Sequence, residues 1–132
     1  MKIILDTNFL LIPAEFGIDI FTEIERIIDF EHELCVIDKT LEELDKIMAE
    51  QKGKDKRAAK LAKDMVLRKG LKIINTTTQG NADKAILEIA EKAKIVVATQ
   101  DKLLRAELKK KGAYLIGLRQ KKHLFIDKTY NL

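Results

Sequence analysis

Short apolar runs alternate along the chain with longer stretches in which apolar residues recur every three or four positions. The runs are typical of buried strands, and the stretches are typical of amphipathic helices. Strands are predicted at residues 2–5, 34–37, 71–74, 95–98 and 113–118. Because purely apolar strands separated by helices favour a parallel sheet covered on both faces, we predict an α/β fold. It would be a three-layer αβα sandwich around a mainly parallel sheet of about five strands.

The ends of the helices are predicted from capping residues and from prolines and glycines. A turn is expected around Pro13 and Gly17, before a helix that carries apolar residues from Phe21 to Ile28. Further helices are predicted from about residue 40 to Gly53, where the chain breaks, and from there to Gly70. Two more helices would begin after residues 81 and 101, whose side chains can cap them. Residues 123–126 are predicted to add an edge strand.

A length of 132 residues suits one domain, which we predict to span residues 1–132 with a short basic extension from about residue 119. Cys35 is alone, so neither an intrachain disulfide nor a cluster of thiolate ligands is expected. The longest apolar runs are much shorter than a membrane span, so a cytoplasmic protein without a membrane partner is expected. The net charge of +4 is compatible with a polyanionic partner.

An acidic residue follows each of the first four predicted strands. Asp6 directly follows the first strand, and Glu43 and Asp83 lie in the first helical turn after the second and third. Asp101 lies three residues beyond the fourth strand. Because the carboxyl ends of parallel strands share one edge of the sheet, these side chains are expected to converge there.

A group of carboxylates suits a hard cation such as Mg²⁺ or Mn²⁺, which prefers oxygen ligands and relieves the repulsion between them. Such a cation can promote hydrolysis of phosphodiester bonds. Purely structural roles are open for three of the acids. Glu43 could complete a capping box with Thr40, Asp101 could cap its helix, and Asp83 favours the positive end of its helix. Asp6 has no helix-capping role that the pattern reveals.

Four short motifs contain these acids in order along the chain. They are Leu5-Asp6-Thr7-Asn8, Glu42-Glu43-Leu44, Ala82-Asp83 and Ala98-Thr99-Gln100-Asp101. Together they resemble the PIN-domain nucleases over nearly the whole chain, in order and in spacing. Within that family, the stretches 6–10 and 118–122 are most similar to the archaeal and eukaryal branch linked to ribosomal RNA processing, and the toxins of toxin-antitoxin pairs are the close rival.

The resemblance implies an endoribonuclease that depends on Mg²⁺ or Mn²⁺ and cuts single-stranded RNA. It implies that Asn8 and Thr99 hold the site in place. Some members have a further acid beside the fourth one, whereas here Lys102 follows Asp101 and Lys84 follows Asp83, which puts a full second metal site in doubt. The family also implies a homodimer, and an antitoxin or a ribosome-assembly protein as a possible partner. The implied catalytic and metal-ligating residues are Asp6, Glu43, Asp83 and Asp101.

Two groups of basic residues are candidates for binding RNA phosphates. Lys54 and Arg57 follow the predicted helix break, although a solvated helix face would explain them equally well. Arg119, Lys121 and Lys122 follow the fifth strand in a predicted loop. Neither GxGxxG nor a Walker A loop is present, which disfavours nucleotide binding. An RNA-binding or ribosome-assembly module without activity is the alternative outside the enzymes.

Overall fold

The structure, a computed structural model, describes residues 1–128, and this part of the chain contains six strands and seven helices. The strands are β1 (Lys2–Leu5), β2 (Glu33–Ile37), β3 (Lys72–Ile74), β4 (Ile95–Ala98), β5 (Tyr114–Arg119) and β6 (His123–Asp127). The helices are α1 (Thr7–Leu10), α2 (Ile12–Phe16), α3 (Ile20–Ile27), α4 (Asp38–Glu50), α5 (Lys54–Arg68), α6 (Ala82–Lys92) and α7 (Lys102–Lys110).

The strands form one sheet in the order β3-β2-β1-β4-β5-β6. Strands β1 to β5 are parallel, and β6 pairs antiparallel with β5. Strands β2 and β3 are added on one side of β1, and strands β4, β5 and β6 are then added on its other side. The strand order therefore reverses between β1 and β4. Open α/β sheets bind their ligands in the crevice at such a reversal, on the carboxyl side of the strands.

Side chains of the central strands alternate between two apolar clusters, one on each face of the sheet. Ile3 and Leu5 of β1 belong to the cluster covered by α1 to α5, whereas Ile4 belongs to the cluster covered by α6 and α7. Val96 and Val97 of β4 divide in the same way. This alternation confirms the predicted α/β sandwich, with six strands in place of about five.

The segment predicted as a turn around Pro13 and Gly17 contains two short helices, α1 and α2. Pro13 lies in the first turn of α2, where its missing N–H is not needed. Gly17 ends the helix with a φ of 65°. The sequence between Asp6 and Gly17 is too short to show a helical period, which is why the pattern predicted only a turn.

Helix α4 begins at Asp38, two residues before the predicted start at Thr40. Thr40 is fully buried inside the helix, and its hydroxyl has no hydrogen-bond partner among the described residues. The capping box of Thr40 and Glu43 is therefore wrong. Asp38 is held instead by the loop after β3, because its carboxylate accepts hydrogen bonds from the backbone N–H and the hydroxyl of Thr76.

The predicted basic extension continues the sheet as a hairpin of β5 and β6, which confirms the predicted edge strand. Residues 120–122 connect the two strands, and Gln120 and Lys121 have φ angles of 55° and 56°. The N–H of Lys122 closes the turn by donating to the carbonyl of Arg119 at 3.1 Å. Residues 129–132 of the predicted domain lie outside the described part. None of the described helices has the length and apolar character needed to cross a membrane.

Candidate active site

The four predicted acids line one cleft of about 290 Å³ at the carboxyl edge of the sheet. We call it the acid cleft. Asp6 enters it from the end of β1, and Asp101 from the residue just before α7. Glu43 comes from the second turn of α4, and Asp83 from the first turn of α6. The cleft lies beside the reversal of strand order between β1 and β4, where ligands are expected.

Asp6 is the most enclosed of these acids, with 4% of its surface exposed. One carboxylate oxygen accepts the backbone N–H of Thr7 at 2.8 Å. The other accepts the hydroxyl of Thr99 at 2.8 Å. Both bonds fix the rotation of the carboxylate, so Asp6 has a defined direction within the cleft.

Asp6 also begins helix α1 as its N-cap, since it accepts the N–H of Thr7. The expectation that Asp6 has no helix-capping role is therefore wrong, because α1 is too short to be detected from the sequence. Capping uses one oxygen of the carboxylate, and a helix N-terminus favours its ionised form. A cap can therefore serve as a ligand as well.

Asn8 and Thr99 join the end of β4 to the start of α1. The hydroxyl of Thr99 lies 3.4 Å from the side-chain oxygen of Asn8, which also accepts the N–H of Gln100 at 3.3 Å. Gln100 donates from its side chain to the carbonyl of Asn8 at 3.4 Å. The Thr99 hydroxyl in turn accepts the N–H of Asp101 at 3.1 Å. Thr99 thus contacts two of the cleft's acids directly.

Burial and the neighbouring acids change the protonation of the cleft. Burial raises the pKa of Asp6, and the charges of Glu43 and Asp101 raise it further, although its hydrogen bonds act in the opposite direction. The pKa of Asp83 is also raised, first by burial and then by the charges of Asp6, Asp101 and Glu107. These carboxylates therefore repel one another across the cleft, and a bound cation would relieve that repulsion.

The remaining acids take positions that bear on their roles. Asp101 caps α7, since it accepts the N–H groups of Leu103 and Leu104 at 2.9 and 3.0 Å. Asp83 lies at the N-terminus of α6, as expected for an acid that favours the positive end of a helix. Glu43 lines the cleft, whereas Glu42 is exposed on the outer side of α4. Of these two neighbours in sequence, only Glu43 is placed to act in the cleft.

The donor set of the cleft fits a hard cation in chemistry, because every candidate ligand is an oxygen. Among residues 1–128, however, no three acid, histidine or cysteine side chains are grouped closely enough to hold one ion together. Mg²⁺ usually keeps several of its waters and takes one or two protein carboxylates. The arrangement therefore suits a partly hydrated ion rather than a closed cage of protein ligands.

The predicted basic residues lie outside the cleft and are exposed. Lys54 and Arg57 occupy the first turn of α5, and Lys54 lines a hollow that shares Leu11 with the acid cleft. The others belong to the turn between β5 and β6, which we call the basic hairpin. Its residues are Arg119, Lys121 and Lys122.

Comparison with known proteins identifies the family. The family model of the PIN like domain matches residues 3–121, which is most of the chain and includes every acid of the cleft. The chain belongs to the PIN-like domain family.

Two curated relatives of this PIN-like domain are named as ribonucleases. Ribonuclease VapC4 of Methanocaldococcus jannaschii is 35% identical over 128 residues, which cover 95% of each chain. Ribonuclease VapC9 of Archaeoglobus fulgidus is 31% identical over 85 residues, covering 64% of this chain and 60% of that protein. The solved structure of the PIN domain endonuclease Utp24 has the same fold, with a TM-score of 0.80 and 22% identity, and it covers 99% of this chain and 94% of its own.

The sequence did not single out every residue that shapes the site of this PIN-like domain. Thr7, Leu11 and Asn81 also line the cleft. The sequence identified Asn81 only as the cap of α6. Because α6 begins beside the cleft, the same residue also lines it. Arg105 of α7 donates hydrogen bonds to the carbonyl of Thr99, just after β4, and to the carbonyl of Ile116 within β5, and its burial lowers the pKa of its guanidinium. In the sequence it is one of many basic residues on a helix, so the pattern does not distinguish it.

Proposed function

We propose that this PIN-like domain is an endoribonuclease that depends on Mg²⁺ or Mn²⁺ and hydrolyses phosphodiester bonds in single-stranded RNA. The observation that carries the proposal is the convergence of four acids from separate elements on one cleft at the reversal of strand order. The 35% identity to Ribonuclease VapC4 over almost the full chain supports the choice of RNA as the substrate.

In this proposal Asp6, Asp83, Asp101 and Glu43 surround a partly hydrated cation, with one or two of these carboxylates bound to it directly and the others bound through its waters. The bound cation would supply activation of one of these waters and would neutralise charge on the phosphate. Thr99 keeps Asp6 in one rotamer, so the carboxylate does not have to be ordered when substrate binds. Lys84 and Lys102 stand beside Asp83 and Asp101 in sequence, and we therefore propose one principal cation.

The basic residues would bind the RNA backbone on both sides of the cleft. The hollow at Lys54 and Arg57 adjoins the cleft through Leu11. The basic hairpin follows β5, the neighbour of β4 in the sheet, so it lies at the same edge as Asp101. Each phosphate contact adds affinity that decreases as salt increases, without reading the bases.

We further propose that the biological substrate is a ribosomal RNA precursor, as the motif at Asp6 and the stretch 118–122 imply. The alternative is a toxin that cuts RNA when its antitoxin is removed. Deleting the gene separates the two roles, because accumulation of uncut precursor supports maturation. Growth arrest that follows expression of the wild type, and is relieved by the product of a neighbouring gene, would support the toxin.

The decisive experiment measures cleavage of single-stranded RNA by the wild type and by Asp6→Asn, each with Mn²⁺, with Mg²⁺ and with EDTA. Asp64→Asn is the matched control, since it removes an exposed acid on α5 that lies away from the cleft. Cleavage by the wild type and the control, lost in Asp6→Asn and with EDTA, is expected. Binding of RNA without cleavage under any of these conditions would instead support a module without activity.

A further inference from the structure

Arg105 makes two hydrogen bonds to the backbone next to the acid cleft. Its Nη1 donates to the carbonyl of Thr99, just after β4, and to the carbonyl of Ile116 in β5, both at 3.0 Å. The N–H of Thr99 donates to the same Ile116 carbonyl at 3.2 Å. The guanidinium therefore joins the two strands at the point where β4 leaves the sheet.

The surroundings of Arg105 leave it little freedom to move. The ring of Phe125 lies 5.5 Å from its guanidinium carbon, on the side of β6. Gly117 lies on another side, where an added Cβ would be 2.8 Å from Nη1 of Arg105 and 2.9 Å from the Phe125 ring. Both distances are too short for a Cβ, so a side chain at position 117 would displace the guanidinium or the ring.

The residue that Arg105 holds is the one that contacts the cleft. The Thr99 hydroxyl donates to Asp6 at 2.8 Å and accepts the N–H of Asp101 at 3.1 Å. Thr99 is fully buried, so its hydroxyl follows the position of its backbone closely. A shift of the Thr99 carbonyl would move the contacts of both acids together.

We propose that Arg105 is a positioning residue for the acid cleft, which holds the backbone of Thr99 so that the Thr99 hydroxyl fixes Asp6 and Asp101. The inference deepens the proposed function and rests on it for its consequence in catalysis. Arg105 does not line the cleft, and it acts through Thr99. A purely structural role, by contrast, would change stability and leave the properties of the cleft unaltered.

The first test is a double-mutant cycle with Arg105→Met and Thr99→Val, measured by the kcat and KM of RNA cleavage. Arg105→Met is expected to lower kcat about 10- to 100-fold, the usual range for a group that orients a metal ligand, with KM unchanged. In the Thr99→Val background the same change is expected to lower kcat less than about threefold, because the hydroxyl through which Arg105 acts is already absent. Equal losses in both backgrounds would overturn the inference.

Two variants separate positioning from stability. Lys109→Met removes another positive charge from α7. The ammonium of Lys109 lies 3.6 Å from the carboxylate of Asp127, and its loss is expected to leave kcat unchanged. Arg105→Lys keeps the charge and places one ammonium group on a flexible stem, and it is expected to recover part of the kcat that Arg105→Met loses. A loss in Lys109→Met as large as in Arg105→Met, or no recovery with Arg105→Lys, would contradict the proposal.

A measurement without RNA distinguishes failure of this inference from failure of the proposed function. The side-chain carboxyl ¹³C signal of Asp6 and the amide signals of Thr99 and Asp101 are recorded in the wild type, Arg105→Met and Lys109→Met. Shifts at all three residues in Arg105→Met alone are expected, whether or not the wild type cleaves RNA. Unchanged signals in folded Arg105→Met would refute the positioning role, whereas a wild type without cleavage would refute only the function.

Discussion

The acid cleft and the basic hairpin lie at the same edge of the sheet, but their side chains are held very differently. In the cleft, Asp6 is 4% exposed and both of its carboxylate oxygens accept hydrogen bonds. In the hairpin, Arg119 and Lys121 are exposed and rest over aromatic rings, with Arg119 4.4 Å from the centre of Phe125 and Lys121 5.9 Å from that of Phe16.

This difference suggests that the two regions require different precision in the positions of their side chains. A carboxylate that must direct a cation at one phosphate needs a fixed position, and hydrogen bonds from buried partners supply it. A cation that only attracts the RNA backbone needs charge at the surface and little precision. Changes in the cleft should therefore lower the rate of the chemical step, and changes in the hairpin should lower affinity.

The largest effect is expected from removing one charge of the cleft while keeping its fold. Asp101→Asn retains an N-cap for α7, because asparagine caps helices as well as aspartate does. We expect cleavage at saturating RNA to slow by more than about 100-fold, since several kcal/mol of electrostatic stabilisation are lost. Single-turnover cleavage measures this effect, and thermal unfolding checks that the helix is intact. A rate within a few-fold of the wild type would exclude Asp101 from the chemistry.

A smaller effect, on affinity alone, is expected in the hairpin. Replacing Arg119, Lys121 and Lys122 with glutamine should reduce the slope of log affinity against log salt by about 2, at about 0.7 per phosphate contact on a single strand. Titration of single-stranded RNA at several salt concentrations measures the slope. Glutamine at Lys2, Lys94 and Lys110 is the control, because these exposed lysines lie at the opposite edge of the sheet, at the starts of β1 and β4 and at the end of α7. An equal change in both triple variants would show that only net charge matters.

The third prediction concerns stability without metal. Burial and the charges of Glu43 and Asp101 raise the pKa of Asp6, which means that its ionised carboxylate is unfavourable in the folded protein. Asp6→Asn removes this negative charge and its repulsion with the other acids. We expect the metal-free melting temperature to rise by about 3 °C, and the further rise caused by Mn²⁺ to disappear. Calorimetry with Mn²⁺ and with EDTA measures both. A variant that responds to Mn²⁺ as the wild type does would remove Asp6 from the metal site.

The smallest effect is expected where the second strand of the hairpin is attached to helix α3. Glu23 accepts hydrogen bonds from Arg26 and from the N–H of Leu124. The Arg26 bond is the first cause that lowers the pKa of Glu23 to about 2, and the Leu124 bond is the second. Because the Arg26 side chain is exposed, Glu23→Gln should lower the free energy of unfolding at neutral pH by only about 0.5 kcal/mol.

The effect of Glu23 should depend on pH with a definite sign. Because its folded pKa lies below its unfolded value of 4.5, its contribution is complete above that value and is lost as the pH falls towards about 2. Urea unfolding of the wild type and of Glu23→Gln at several pH values tests this. The two proteins should converge in acid, and a constant difference down to pH 2 would contradict the assignment.

The layers of the fold could be predicted from the sequence because purely apolar strands and amphipathic helices differ in period. The edge strand β6 was also predicted, from the apolar residues that follow the basic stretch. Helices α1 and α2 were missed, since each is about one turn long and shows no period. The start of α4 was wrong because Thr40 resembles a cap, whereas Asp38 is stabilised by Thr76, which is distant in sequence.

The acids of the cleft could be placed at one edge because each follows a strand, but their partners depend on packing. Thr99 can donate to Asp6 only because β4 lies beside β1, and the order of strands in the sheet cannot be read from the apolar pattern. The roles of these residues in catalysis stay a prediction. Arg105 could not be singled out, because its hydrogen bonds depend on how α7 packs against β5.

The position of β4 between β1 and β5 has a consequence for protein synthesis. Asp6, Glu43 and Asp83 leave the ribosome before Thr99 and Asp101, and β1 lacks one of its neighbours until β4 has emerged. A nascent chain that ends before β4 therefore carries three of the acids without the hydroxyl that orients the first. If the cleft cuts RNA as proposed, a nascent chain can assemble it completely only after β4, Thr99 and Asp101 have emerged.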